Sequence, residues 1–209
     1  MRDSTATLEQ PTIVLASASP RRLQLLQQLG LRAIAQPADI DETPLANERA
    51  RDYVMRVAVD KARAVLSTLS NPQNKVVIAA DTSVVVAGQI LGKPQDAADC
   101  ERMLGALSGV EHSVLSAVVV AGGRVPLAQR LAETRVWMRE TTRSERAAYW
   151  ASGEPADKAG SYAIQGLGAM FIERIEGNYA TVVGLPVYEL STLLALHGID
   201  LLSAPGDKN

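Results

Sequence analysis

Four places in the chain carry charged or hydroxyl side chains where a plain structural reading expects something else. The first is the run Ser17 to Arg22, directly after the apolar segment Thr12 to Ala16. A buried strand feeding a helix there would present unpaired backbone N–H groups and a partial positive charge, a ready anion site. Ser17 and Ser19 add hydroxyls, and Arg21 and Arg22 add guanidinium forks that match phosphate oxygens. The same turn also reads as a capped helix with two solvated arginines. The second place is Asp81-Thr82, at the carboxyl end of the buried run Val76 to Ala80. A carboxylate there could hold a metal or accept a proton from water, since ligands of α/β sheets sit beyond strand carboxyl ends. Third is Lys61, which lies four residues after Val57 and four before Val65, inside an apolar helical stripe. A lysine there must snorkel out or meet an anion. Fourth is Lys93 in Leu91-Gly92-Lys93-Pro94, just past the hairpin that follows Asp81. Each taken singly also reads as an ordinary surface or turn residue. Together, several cations with one or two carboxylates suit a polyphosphate and a divalent metal.

The elements that must position these groups follow from periodicity and turn chemistry. Ser19 as N-cap with Pro20 at the first helical position predicts a helix carrying Leu23, Leu26 and Leu29 and stopping near Gly30. A second helix is predicted over about 46–69, with Val54, Val57, Ala58, Ala62, Val65 and Leu69 as its buried stripe. Val76 to Ala80 is a second buried strand, after which the apolar run resumes at 83–87, turns near Gly88-Gln89 and continues at Ile90-Leu91. Gln95 to Leu107 reads as a helix. Two longer strands follow at about 112–121 and 125–138, joined by the Gly122-Gly123 turn. Thr142 and Glu145 have capping-box spacing and open a helix to about Ser152. The stretch 153–168 reads as a loop, 171–175 as a strand, Gly177-Asn178 as a turn and 185–197 as a final helix. This alternation predicts an α/β fold: a mixed twisted sheet flanked by helices, with two lobes around a central cleft. One domain over 11–202 is expected, between loose tails at 1–10 and 203–209.

Composition narrows the chemistry further. The 209 residues carry 21 Lys and Arg against 23 Asp and Glu, so no basic excess points to nucleic acid. A single cysteine, Cys100, permits no intrachain disulfide, and His112 and His197 lie far apart, so a zinc site of His and Cys is not expected. Any metal should have oxygen ligands, which points to Mg²⁺ or Mn²⁺. No G-x-S-x-G elbow, no P-loop and no G-x-G-x-x-G entering a helix is present. The first residues lack the apolar core of a secretory signal, and the longest apolar runs, near 114–121 and 76–87, fall short of a membrane span. The expectation is a cytoplasmic protein without a membrane or nucleic-acid partner.

Leu15-Ala16-Ser17-Ala18-Ser19-Pro20-Arg21-Arg22 resembles the opening motif of the Maf family of nucleotide pyrophosphatases. Ile40-Asp41-Glu42, Asp60-Lys61-Ala62, Ala79-Ala80-Asp81-Thr82 and Leu91-Gly92-Lys93-Pro94 match its later motifs in order. The segment Glu154 to Gly166 matches its glycine-rich loop, and Val182-Val183-Gly184-Leu185-Pro186 its C-terminal motif. The resemblance spans about residues 12–195. It implies a fold like that of inosine triphosphate pyrophosphatases and hydrolysis of a nucleoside triphosphate to the monophosphate and pyrophosphate, with a divalent cation. By position, Asp81 would accept the proton, and Glu42 would hold the metal or the water with it. Arg21, Lys61 and Lys93 would neutralise the polyphosphate, with Ser17 and Arg22 adjacent to them. The family's selectivity positions fall on Arg21, Thr82 and Gln165, and these residues with the loop 157–160 resemble the dTTP/UTP branch. The branch acting on 7-methyl-GTP differs in that loop. Gln165 offers a donor and an acceptor, which suits the imide edge of uracil or thymine, though the amide could instead tie down its loop. Tyr53, Tyr149 and Trp150 read as packing or dimer-surface residues, and the resemblance implies a homodimer. A regulator that binds nucleotide without turnover is the competing class.

Overall fold

Thr12–Leu15 (β1) lies between two parallel neighbours, Ala33–Ala35 (β2) and Lys75–Val86 (β3), in the computed structural model, which describes residues 11–122 and 125–202. Both expected tails and the Gly123 end of the expected turn lie outside these residues. Beyond β3 the sheet becomes antiparallel: Glu111–Gly122 (β5), Val125–Met138 (β6) and Ile172–Glu176 (β7) follow in that order. Gln89–Leu91 (β4) folds back on β3 through the Ala87-Gly88 turn, both residues at positive φ. Helices Pro20–Gln28 (α1), Ala50–Thr68 (α2), Ala97–Leu107 (α3), Arg143–Ala151 (α4), Tyr179–Val183 (α5) and Val187–Leu196 (α6) flank it. The mixed, helix-flanked sheet is the expected one.

Strand β3 sets up the site through its two-residue alternation. Val77 and Ala79 face a core made with Val54, Ala58, Ala62 and Val65 of α2. Val76, Ile78 and Ala80 face the opposite core, made with Leu26 of α1 and Leu190, Leu193 and Leu194 of α6. A third cluster joins Val84 and Leu91 to α3, Tyr149 of α4 and Phe171. Continuing the count, Asp81 falls on the α2 face and Thr82 on the α1 face.

Three expectations need correction. Asp81-Thr82 does not end a strand: β3 runs through to Val86, because β5 pairs with it continuously from Val76 to Val85. Only β1 stops short, its register ending at Leu15 opposite Ile78, and that end opens the space beside Asp81. Ser19 stands at the N-cap of α1, but its side chain does not cap. Instead the Ser19 N–H donates to the Ser17 hydroxyl oxygen at 3.1 Å. The loop 153–168 contains short 3-10 turns at Glu154–Asp157 and Ala159–Ser161, and a third begins at Leu167. The expected final helix is α6, Val187–Leu196, and a short helix, Tyr179–Val183, that was not expected precedes it, ended by Gly184 at φ +117. The capping box at Thr142 and Glu145 stands as expected.

His112, on β5 and 2% exposed, packs against Tyr162 of the third core. Its Nε2 lies 2.7 Å from the Tyr162 hydroxyl, and the two rings meet edge to face. Burial pushes the imidazole down to about 4. In the unfolded chain it titrates near 6.5, so between those values the unfolded state binds the extra proton and acid destabilises the fold. Chemical denaturation at falling pH should show about 3 kcal/mol lost from this group between pH 7 and 4. In His112→Asn that component should vanish; an unchanged loss would assign it to other groups.

Candidate active site

The space beyond the end of β1 is a cleft of about 550 Å³. It receives side chains from the β1–α1 turn, the loop around Glu42, α2, β3, the Lys93 segment, the 157–165 loop and the α5–α6 junction. Arg21, Arg22, Lys61, Lys93 and Lys158 line it, against Glu42, Asp81 and Asp157. On a chain with a net charge of -2 the cleft is locally cationic. It therefore suits a polyanion, and the carboxylates leave room for a cation beside it.

Lys61 is the pivot. It projects from the buried stripe of α2 and is 9% exposed. An unpaired ammonium there would cost several kcal/mol. It does not stand unpaired: its Nζ donates to Asp81 Oδ1 at 2.8 Å and lies 3.0 Å from Glu42 Oε2. Asp81 is 6% exposed, whereas Glu42 is open to solvent. One ammonium thus draws together two carboxylates from distant parts of the chain.

Glu42 has no secondary structure of its own, so other groups must place it. The Tyr53 hydroxyl donates to the Glu42 carbonyl at 2.9 Å. Burial, then the charges of Asp81 and Glu42, push that phenol up to about 12, so it remains a donor. Arg56 donates to the Thr43 carbonyl and pairs with Glu48 at 2.7 Å, and Glu48 in turn accepts from the Leu45 N–H. Tyr53, which by sequence reads as a packing or dimer-surface residue, thus holds the backbone of Glu42. The signal was present: Tyr53, Val57 and Lys61 recur every four residues, so they share a helix face.

On the opposite face, Arg22 fills a half-buried position. Its guanidinium donates to the carbonyls of Gly184 and Ala80, each at 2.8 Å. It also donates to the Ser17 hydroxyl at 3.1 Å and to Thr82 Oγ1 at 3.2 Å. Burial lowers its pKa, and Asp81 opposes that shift. Four of the five guanidinium donors are therefore spent inside the protein, and one remains for a ligand. Thr82 Oγ1 lies 2.8 Å from the Ser116 hydroxyl, which donates to the Thr181 carbonyl at 2.7 Å. Ser17 accepts from both Ser19 and Arg22, which leaves its own proton free to donate. The first-turn N–H groups of α1 have no side-chain cap.

Arg21 reaches across the cleft to Asp157 Oδ2 at 3.4 Å, and Asp157 also pairs with Lys158. Lys93 is exposed at the rim, and Gln165 lines the wall half-buried. Every residue singled out from the sequence, from Ser17 to Gln165, thus borders this one cleft. Asp157 and Lys158 of the loop 157–160 line it too, as do Tyr53 and Tyr162, which carry no such expectation.

A mixed sheet whose cleft is lined with more cations than carboxylates, and whose carboxylates are paired on a buried lysine, defines a polyanion-handling α/β protein. The model of the Maf-like protein family matches residues 12–197, and the chain belongs to this family. It is 47% identical over 192 residues to a dTTP/UTP pyrophosphatase of Hahella chejuensis, covering 91% of this chain and 94% of that one. With a dTTP/UTP pyrophosphatase of Shewanella sp. (strain MR-7) it shares 50% identity over 192 residues, covering 90% and 98%. Among solved structures, the Ham1 protein of Staphylococcus aureus aligns with a TM-score of 0.49 at 16% identity, covering 85% and 83%.

Proposed function

We propose that this protein hydrolyses nucleoside triphosphates, dTTP and UTP by preference, to the monophosphate and pyrophosphate. The observation that carries the reading is Lys61 held between Asp81 and Glu42 inside a locally cationic cleft. The relatives that are dTTP/UTP pyrophosphatases, at 47% and 50% identity over most of both chains, support the substrate choice.

The donor set fits a hard divalent cation. Glu42 and Asp81 offer oxygens only, and among the described residues no group of three or more His, Cys, Asp or Glu converges. Two carboxylates are too few to cage an ion but suffice for Mg²⁺ or Mn²⁺, which complete their shell with water and substrate phosphate. When bound there, the cation supplies neutralisation of phosphate charge. The residues do the remainder. Asp81 accepts the proton of the attacking water as the α–β anhydride breaks, and Glu42 orients that water or shares the metal. Arg21, Lys61 and Lys93 offset the charge that gathers on the leaving pyrophosphate. Ser17 and the open first turn of α1 donate to phosphate oxygens, with the remaining Arg22 hydrogen beside them. Gln165 meets the imide edge of the base, and Thr82 with Arg22 fixes the strand that presents Asp81.

The test is pyrophosphate and monophosphate release from dTTP, UTP, CTP, dATP, GTP and 7-methyl-GTP with Mg²⁺, repeated with Mn²⁺. Release from dTTP and UTP, at least about tenfold above CTP, is the expected result. Release from 7-methyl-GTP instead would keep the chemistry and overturn the use made of Arg21, Thr82 and Gln165. Nucleotide binding without turnover would favour a regulator. The same reading takes the protein as a cytoplasmic homodimer, and sedimentation equilibrium tests the dimer. Among the described residues no helix is long and apolar enough to cross a membrane.

A further inference from the structure

Gln165 sits on a short segment, 163–168, that has no sheet partner, yet both of its ends are fastened to one pair of side chains. Tyr149, on α4 and 3% exposed, is the inner member of that pair. Its hydroxyl accepts from the Ala163 N–H at 3.1 Å and donates to Glu154 Oε1 at 2.7 Å. Glu154 completes the hold: Oε1 accepts from the Gly168 N–H and Oε2 from the Leu167 N–H, both at 2.9 Å. Ala163 and Gln165 line the cleft, while Leu167 and Gly168 do not. The fastening therefore lies behind the wall that the ligand meets.

The glycines show how close this arrangement is. A Cβ on Gly166 would fall 2.3 Å from Glu154 Oε2, and Gly166 has φ +83. A Cβ on Gly168 would fall 2.4 Å from the Ala163 carbonyl and 2.6 Å from the Tyr149 hydroxyl. The Tyr149 ring is itself set edge to face on Phe171, with centroids 5.2 Å apart. The backbone hydrogen bonds, the Tyr149 hydroxyl and Lys158 outweigh desolvation and hold the Glu154 carboxyl below its ordinary value. The pair so keeps an acceptor where the loop supplies donors. A half-buried amide that selects a base must be held by its loop, since its own side chain has several free torsions.

We propose that Glu154 and Tyr149 are positioning residues for base selection: they fix the 163–168 segment so that Gln165 presents its amide to the nucleobase end of the cleft. This rests on the reading of the cleft as a pyrimidine nucleotide site. Neither residue reaches the polyphosphate groups; both act through Gln165.

Tyr149→Phe keeps the ring on Phe171 and deletes the hydroxyl that joins Ala163 to Glu154. Glu154→Gln keeps the volume and places an amide NH₂ against N–H donors. The measurements are kcat/KM for UTP, dTTP, CTP and GTP, and inhibition by inorganic pyrophosphate, which has no base to recognise. Each variant should lower the UTP-over-CTP ratio by about tenfold, or 1.4 kcal/mol of discrimination. The pyrophosphate inhibition constant should stay within about twofold, since no phosphate contact is touched. Gln165→Ala should lower the same ratio, and Gln165→Ala with Tyr149→Phe should lower it no further, because both act through one side chain. Uniform loss on all nucleotides with an unchanged ratio, in whichever of the two variants folds, would show only a structural brace. A Gln165→Ala protein that keeps the wild-type ratio would overturn this inference alone, whereas a wild-type protein without preference for UTP and dTTP would overturn the pyrimidine reading and this inference with it. Collapse of the ratio in Gln165→Ala but not in Tyr149→Phe or Glu154→Gln would overturn the positioning role alone.

Discussion

Asp81→Asn is expected to lower kcat for UTP by about 10²–10⁴-fold, the usual weight of a positioned general base, while nucleotide binding remains measurable. The geometry makes the separation possible. Asp81 stands within a strand paired on both sides of the substitution, so the backbone that carries it is fixed. Asparagine keeps its shape, and Lys61 retains Glu42 at 3.0 Å, so the buried ammonium is not left alone. Arg21 and Lys93 are untouched, while Lys61 exchanges the Asp81 carboxylate at 2.8 Å for a neutral amide. One negative charge leaves a cleft that binds a polyanion, so metal-free binding of a non-hydrolysable UTP analogue should be equal or tighter. Binding that depends on the divalent cation should weaken, because one of two carboxylate ligands is gone. Calorimetric titration of the analogue with and without Mg²⁺, beside a single-turnover assay, reads both effects. Turnover near the wild-type rate would remove Asp81 from the proton-transfer role. Lost analogue binding with a normal melting temperature would mean that Asp81 serves the ground state instead.

Much of this site could be read from residue types and spacing, and its limits have physical causes. Lys61 in an apolar stripe had to meet an anion, and it meets two. The sequence alone did not place Asp81 mid-strand, because a run such as Ala79 to Val85 breaks the apolar pattern only at a site that β5 pairs over regardless. Pairing partners, not local propensity, decided where β3 ends. The five residues Tyr179 to Val183 are β-branched or aromatic apart from Ala180 and have poor helix propensity. They form a helix because the Asn178 side chain accepts from the Ala180 N–H at 2.8 Å. The 3-10 turns between 153 and 171 are too short to show a period. Glu154 matched a family motif, but its partners at Tyr149, Leu167 and Gly168 are settled by tertiary folding, which spacing does not encode.

Arg22→Met should destabilise the fold by about 3–4 kcal/mol, and Arg22→Lys should recover less than half of that. A residue in the opening arginine pair invites a phosphate-binding role, but the distribution of its donors says where the larger effect lies. The guanidinium joins three parts of the chain: the β1–α1 turn through Ser17, strand β3 through Ala80 and Thr82, and the α5–α6 junction through Gly184, whose carbonyl also accepts from Thr82 at 3.3 Å. Removing it takes the guanidinium donor from the Ala80 carbonyl and leaves the Gly184 carbonyl to the longer bond from Thr82, both in a partly buried place, where an unsatisfied group costs about 1–3 kcal/mol. Water from the adjacent cleft can reach some of them, which keeps the total below the simple sum. Lysine restores charge but offers a point donor rather than a planar fork, so it can serve one or two of the four acceptors. In a chain of this size 1 kcal/mol moves the melting temperature by about 2–4 °C, so Arg22→Met should melt roughly 6–16 °C lower. The neighbouring substitution Arg21→Met provides the contrast. Among the described residues its guanidinium has only the 3.4 Å contact to the exposed Asp157, so its loss should raise KM for UTP and leave the melting temperature within about 2 °C. Scanning calorimetry and steady-state kinetics on both variants would separate the two arginines. If Arg22→Met melts with the wild type and only KM rises, Arg22 binds substrate as Arg21 does, and the four internal hydrogen bonds contribute little to holding the cleft together.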